Sequence, residues 1–168
     1  MRIVLIGFMG SGKTTVGAFL ADKFKYKLID MDQLALKKSK RTTINEIFEK
    51  DGEKSFRRIE LTVAKEISKK ESIVVSSGGG VVMNKSTMNY LIKNSYVIYL
   101  EASFDTIKKQ VALKKLKPPL FQKVTSAKKL FDLRKPLYKG YANMVINTNK
   151  KSVDKIVKQI LKGLDGWK

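Results

Sequence analysis

Short apolar runs bounded by turn signals alternate along this chain with longer stretches in which apolar residues recur every three or four positions. The short runs read as strands over residues 2–6, 27–29, 73–76, 96–100 and 144–146. Helical spacing fills the intervals at 13–24, 33–38, 44–50, 53–70, 88–93, 104–115, 127–138 and 153–164. Thr42 or Thr43 is the expected N-cap of the helix that starts at Ile44. Strands that alternate with helices predict βαβ units, hence a parallel sheet covered on both faces in a three-layer α/β/α fold. The one loop-like interruption is 116–123, which contains Pro118-Pro119. With no internal repeat and no linker, residues 1–168 read as one domain.

Between the first strand and the first helix lies Gly7-Phe8-Met9-Gly10-Ser11-Gly12-Lys13-Thr14, a full match to G-x-x-x-x-G-K-[ST]. Glycines let backbone N–H groups turn inward around phosphates, and the helix start adds the positive end of its dipole. Gly10, Ser11, Gly12, Lys13, Thr14 and Thr15 form the expected nucleotide-binding set. Lys13 is placed to reach the β- and γ-phosphates and stabilise charge during transfer; the Thr14 hydroxyl is placed to bind Mg²⁺. A dinucleotide-binding fingerprint is excluded locally, because no glycine follows Gly10-Ser11-Gly12 at the required spacing. Asn84-Lys85-Ser86-Thr87 lacks the aspartate of a guanine-selecting motif, and no Asp-x-x-Gly switch occurs.

Composition then narrows the chemistry. The chain has no cysteine and no histidine, so thiolate nucleophiles, disulfides, imidazole metal sites and Ser-His-Asp catalysis are out. Any base must be a carboxylate, Lys, Tyr or water, and a metal would be a hard, oxygen-liganded ion such as Mg²⁺. A hydrophobic fraction of 43% suits a globular fold, and no run nears the roughly 20 apolar residues of a membrane helix. The apolar start runs straight into the glycine-rich loop with no small-residue cleavage site, so a cytoplasmic protein is expected. The formal charge of +20 raises nucleic acid as a ligand, but the lysines scatter over what look like exposed helical faces. No nucleic-acid or membrane partner is expected. Of the 35 basic residues only Arg2, Arg41, Arg57, Arg58 and Arg134 are arginine, which suggests that the rigid fork is kept where it is needed.

A phosphate loop fixes the donor and leaves the acceptor open. Asp30 and Asp32 stand at the end of the second strand, where ligands bind in such sheets, and point the same way if strand geometry persists. Asp30 can help to hold Mg²⁺ through its water shell and Asp32 can accept a proton from an attacking hydroxyl, or both can be turn formers and caps. Arg57 and Glu60 can meet on one helical face, as a substrate clamp or as a surface ion pair. Gly78-Gly79-Gly80 after the third strand either offers backbone N–H groups to a ligand or makes a flexible turn.

Taken together, the order and spacing of these pieces along essentially the whole chain resemble the shikimate kinases. The resemblance rests on the phosphate loop, Asp30-x-Asp32, Phe48, Asp51-Gly52-Glu53, Phe56-Arg57-Arg58-x-Glu60, Gly78-Gly79-Gly80, a proline-containing lid, and Arg134 with Leu137-Tyr138. It implies a five-stranded parallel sheet of order 2-3-1-4-5, a substrate-binding region over about 32–61 and a lid over about 112–124. It also implies transfer of the ATP γ-phosphoryl group to the 3-hydroxyl of shikimate by a monomer, in aromatic amino-acid biosynthesis. By the same resemblance Asp32 binds ring hydroxyls and is the base. Arg57 and Arg134 clamp the carboxylate, with Glu60 supporting Arg57; Gly79 and Gly80 give backbone contacts, and Phe48 and Phe56 form an apolar wall.

The lid departs from the family pattern. An arginine immediately before Pro-Leu-Leu reaches over the phosphates there, whereas this chain reads Lys117-Pro118-Pro119-Leu120-Phe121 and sets Pro118 at the arginine position. Proline has neither charge nor N–H. Either Lys117 takes over that charge, which is the reading adopted, or the lid contributes less. Lys109 and Gln110 stand nearest the family's adenine-stacking position without matching it, and Ser77 replaces a common Thr. Gluconate or nucleoside-monophosphate kinases share the loop, but would not require the Asp pair, Phe56-Arg57-Arg58 and the triple glycine together.

Overall fold

The computed structural model describes residues 1–113 and 124–165. In chain order the elements are β1 (Arg2–Ile6), α1 (Lys13–Phe24), β2 (Lys27–Asp30), α2 (Met31–Ser39), α3 (Ile44–Ile67) and β3 (Ile73–Ser76). A 3₁₀ turn (Val81–Met83) leads to α4 (Lys85–Ile92), β4 (Tyr96–Glu101), α5 (Phe104–Leu113), α6 (Val124–Tyr141), β5 (Met144–Asn147) and α7 (Val153–Leu164). The strands form one parallel sheet in the order β2-β3-β1-β4-β5. The central part of the expected lid, Lys117 and Pro118 included, lies outside the described residues.

Strand β1 is buried on both faces, as a central parallel strand should be. Ile3 and Leu5 pack with Val16 and Leu20 of α1 and Ile156 and Ile160 of α7. Val4 and Ile6 face the other way, into Val63 and Ile67 of α3, Met88 and Leu91 of α4, and Phe131 and Tyr138 of α6. Each such fully buried aliphatic side chain stabilises the fold by about 1.5–3 kcal/mol relative to exposure. At the rear edge Arg2 is buried. Its Nε donates to Ser95 Oγ (2.6 Å), its Nη1 to the carbonyls of Ile67 (3.0 Å) and Lys70 (2.9 Å), and its Nη2 to the carbonyl of Lys93. One guanidinium thus gathers carbonyls at and just beyond the C-terminal ends of α3 and α4. No helix among the described residues is long and apolar enough to cross a membrane.

Two local features position the site. Strand geometry, the condition for Asp30 and Asp32 to point the same way, does not persist through Asp32. Asp30 Oδ1 accepts from the N–H groups of Asp32 (3.0 Å) and Gln33 (3.3 Å), so Asp30 ends β2 as the N-cap of α2 and Asp32 enters the first helical turn. The two helices expected on either side of Asp51-Gly52 are present, but joined through a kink at Gly52 (φ 78°, ψ 164°), a conformation open to glycine. Thr43, rather than Thr42, caps α3 by accepting from the Glu46 N–H, while Glu46 receives bonds from the N–H and hydroxyl of Thr42.

Candidate active site

The loop after β1 turns through Gly7, Gly10 and Gly12, whose φ values of 150°, 77° and 93° lie where side-chain-bearing residues are rarely found. Lys13 is buried beneath this loop, and its Nζ donates to the carbonyls of Gly7 (2.9 Å) and Phe8 (3.0 Å). Desolvation pulls the Lys13 ammonium down to about 8, against the pull of Asp32 and Asp30. Gly10, Gly12, Lys13, Thr14 and Thr15 line a cavity of about 340 Å³. Ser11 does not line it: its N–H bonds to the Phe8 carbonyl (3.2 Å) and its side chain is buried. Helix α5 crosses the loop here, because a β-carbon on Gly10 would lie 3.5 Å from the Ile107 carbonyl and 3.7 Å from Gln110 Cβ.

At the floor of that cavity the Thr14 hydroxyl donates to Asp30 Oδ2 (3.0 Å) and lies 3.0 Å from Ser76 Oγ. Hydroxyl and carboxylate oxygens beside a phosphate loop fit a hard cation that keeps most of its shell from phosphates and water. Asp30 therefore does two things, with Oδ1 capping α2 and Oδ2 facing Thr14.

Beside it is a second cavity, of about 350 Å³. All eight residues expected at the acceptor line it: Asp32, Phe48, Phe56, Arg57, Glu60, Gly79, Gly80 and Arg134. Phe48 and Phe56 meet at 4.9 Å between ring centroids and form its apolar side. The Arg57 guanidinium donates through Nη1 to the buried Glu60 and through Nε (3.3 Å) and Nη2 (3.0 Å) to Glu53 Oε1. Burial alone would lower the Arg57 pKa; the charge and hydrogen bond of Glu60, then Glu53, carry it above its ordinary value. Glu60 is itself pushed up by desolvation, which Arg57 only partly offsets. From α6, Arg134 crosses over the Phe8 ring (5.6 Å) and reaches the Gly79 carbonyl at 3.5 Å. Its burial lowers its pKa.

Asp32 lines both cavities, with Met9 and Gly79. Desolvation, reinforced by Asp30, raises its pKa despite the opposing charges of Lys13 and Arg57. A half-buried carboxylate with raised basicity, between a phosphate site and an acceptor site, is placed to take a proton. The glycines beside it serve a purpose that sequence reasoning missed. A β-carbon on Gly80 would stand 2.8 Å from Arg57 Nη2, and one on Gly79 3.1 Å from the Met9 nitrogen. Gly80 thus leaves room for the Arg57 fork, and Gly79 for the close approach of the phosphate-loop backbone. Also missed were Glu53, four residues before Arg57 and so detectable from helical spacing, and the apolar contributions of Ile44 and Leu130.

The family model for shikimate kinase matches residues 9–165. The shikimate kinase of Sulfurihydrogenibium sp. (strain YO3AOP1) is 40% identical over 160 residues, covering 95% of each chain. Among solved structures, shikimate kinase from Acinetobacter baumannii in complex with shikimate superposes with a TM-score of 0.92 at 31% identity, over 99% of this chain and 94% of that one. Shikimate kinase from Aquifex aeolicus gives 0.80 at 34% identity, over 99% of this chain and 97% of that one. A gluconokinase from Sinorhizobium meliloti 1021, at 18% identity and a TM-score of 0.68, shares the fold alone. With its phosphate loop, paired cavities and whole-length similarity, the chain belongs to the shikimate kinase family.

Proposed function

We propose that the protein transfers the γ-phosphoryl group of ATP to the 3-hydroxyl of shikimate, giving shikimate 3-phosphate and ADP. The observation that carries this reading is the position of Asp32, in the wall common to the phosphate-loop cavity and a cavity bearing two guanidinium groups. A small polyhydroxylated ring acid meets those features in turn: its carboxylate Arg57 and Arg134, its ring the Phe48–Phe56 side, its hydroxyls Asp32.

The acceptor oxygen attacks the γ-phosphorus, the new O–P bond forms as the bond to the β,γ-bridging oxygen breaks, and Asp32 takes the hydroxyl proton. ADP leaves with the bridging oxygen. Lys13 places positive charge at the β- and γ-phosphates, and the loop N–H groups hold the rest of the tail. Thr14 and Asp30 would hold Mg²⁺, which when bound neutralises charge on the phosphate oxygens. Glu60 and Glu53 keep the Arg57 fork aimed before the acceptor arrives. With so little covalent chemistry to perform, orientation and charge stabilisation carry the rate.

Coupled ADP release by purified protein, with shikimate, gluconate or nucleoside monophosphates as acceptor, tests this directly. Shikimate-dependent turnover is expected; turnover with gluconate or a nucleotide instead would overturn the assignment.

A further inference from the structure

The Gly79 carbonyl is held from α6 by two side chains four residues apart on one face. Arg134 reaches it through Nη1 at the long distance of 3.5 Å, while Tyr138 donates a much shorter hydrogen bond from its hydroxyl. Arg134 is not suited to be a fixed tether. Its guanidinium lines the acceptor cavity, and its buried Nε has no hydrogen-bond partner among the described residues. When that group turns to an anionic acceptor, the Tyr138 bond is the one that remains.

Tyr138 has the properties of a rigid post. Its side chain is fully buried, and its ring stacks on Tyr99 of β4 at 5.0 Å between centroids and 21° between planes. A tyrosine has few rotatable bonds, so little freedom is left once the ring is packed. Burial raises its pKa, which keeps the hydroxyl a donor at any working pH. Gly79 in turn lines both cavities and Gly80 lines the acceptor cavity. The Gly79 carbonyl and the Gly80 N–H belong to one planar peptide unit and point in opposite directions. Fixing the carbonyl therefore fixes the N–H. Neither glycine has a side chain that would hold this plane by packing.

We propose that Tyr138 is a positioning residue for the acceptor: by bonding the Gly79 carbonyl it orients the Gly79–Gly80 peptide, the section of wall against which the acceptor binds. This rests on the acceptor reading above, whereas a tyrosine that merely fills the core would act on stability alone.

Two measurements on the Tyr138→Phe variant, which keeps the ring stack, test it. In the first, amide NMR of the free proteins follows Gly80, with no acceptor needed. The Gly80 N–H resonance should move, with distant core amides unchanged; an unmoved Gly80 amide overturns the proposal. In the second, steady-state kinetics should show the KM for shikimate raised about five- to tenfold, the size expected from losing one hydrogen bond, with the KM for ATP changed less than about twofold. Equal shifts in both KM values alongside a lowered thermal midpoint would mark a structural role and refute it. Wild-type protein inactive with shikimate would refute the acceptor reading instead, and the NMR result would still decide the peptide's dependence on Tyr138.

Discussion

Gly78 lies directly against the Asp32 carboxylate: a β-carbon added at Gly78 would stand 2.8 Å from Asp32 Oδ1 and 3.1 Å from Glu60 Oε1. Both distances are below ordinary carbon–oxygen contact, and the atoms met are the ends of the two carboxylates that organise the acceptor cavity. Gly78→Ala should therefore displace Asp32 rather than unfold the sheet. The expected result is a kcat at least about 100-fold lower, since misplacing a reacting group by an ångström has that effect, with a KM for ATP close to wild type. Steady-state kinetics and a thermal melt check it; unchanged kcat would show that Asp32 has no fixed place there.

Asp32 predicts the acid side of the pH profile. Its working form is the carboxylate, and burial with Asp30 raises its pKa. Activity should fall as pH drops through a value above the ordinary carboxylate range. Asp32→Asn should lower kcat by about 10²- to 10⁴-fold and remove that limb, because the amide does not titrate. An acid limb unaltered in the variant would assign it to another group.

Lys13 predicts the alkaline side. Desolvation holds its ammonium near 8 in the free protein, so the charge that grips the phosphates is present below that value and lost as pH rises through it. The kcat/KM for ATP should decline above about pH 8, whereas kcat should decline at higher pH, since bound phosphate favours the charged amine. In Lys13→Arg the limb near 8 should vanish, because a guanidinium stays protonated. Its persistence at the same pH would contradict the assignment.

Arg57 carries a prediction about geometry rather than charge. Its fork is held by Glu60 on one side and Glu53 on the other. Lysine keeps the charge and loses the fork, so Arg57→Lys should raise the KM for shikimate by about tenfold or more, with the KM for ATP little changed. Initial-rate measurements with each substrate varied separate the two.

Periodicity alone made the strands, the helices and their parallel arrangement legible, because a covered parallel sheet leaves apolar runs too regular to miss. The strand order came only with the resemblance; the observed pairing of β1 with both β3 and β4 agrees with it. The phosphate loop was legible because its requirement is local: three glycines, a lysine and a hydroxyl within eight residues. The Asp30–Asp32 pair was legible as a site and not as geometry. Whether a strand continues or a helix starts depends on one carboxylate choosing the N–H groups of Asp32 and Gln33. The steric purpose of the three glycines was hidden, since Asp32 and Glu60 reach Gly78, the Met9 backbone reaches Gly79 and Arg57 reaches Gly80, all from other elements. Arg2 fulfils the expectation that arginine is kept where a fork is required, but its fork holds the carbonyls of Ile67 and Lys70, which only the folded chain brings within reach.

The most direct measurement is a crystal structure of the protein with shikimate and a non-hydrolysable ATP analogue. The account predicts both Arg57 and Arg134 on the acceptor carboxylate, with the Asp32 carboxylate within hydrogen-bond reach of the hydroxyl that faces the terminal phosphate. Either guanidinium directed out of the cavity, or Asp32 beyond that reach, would contradict it.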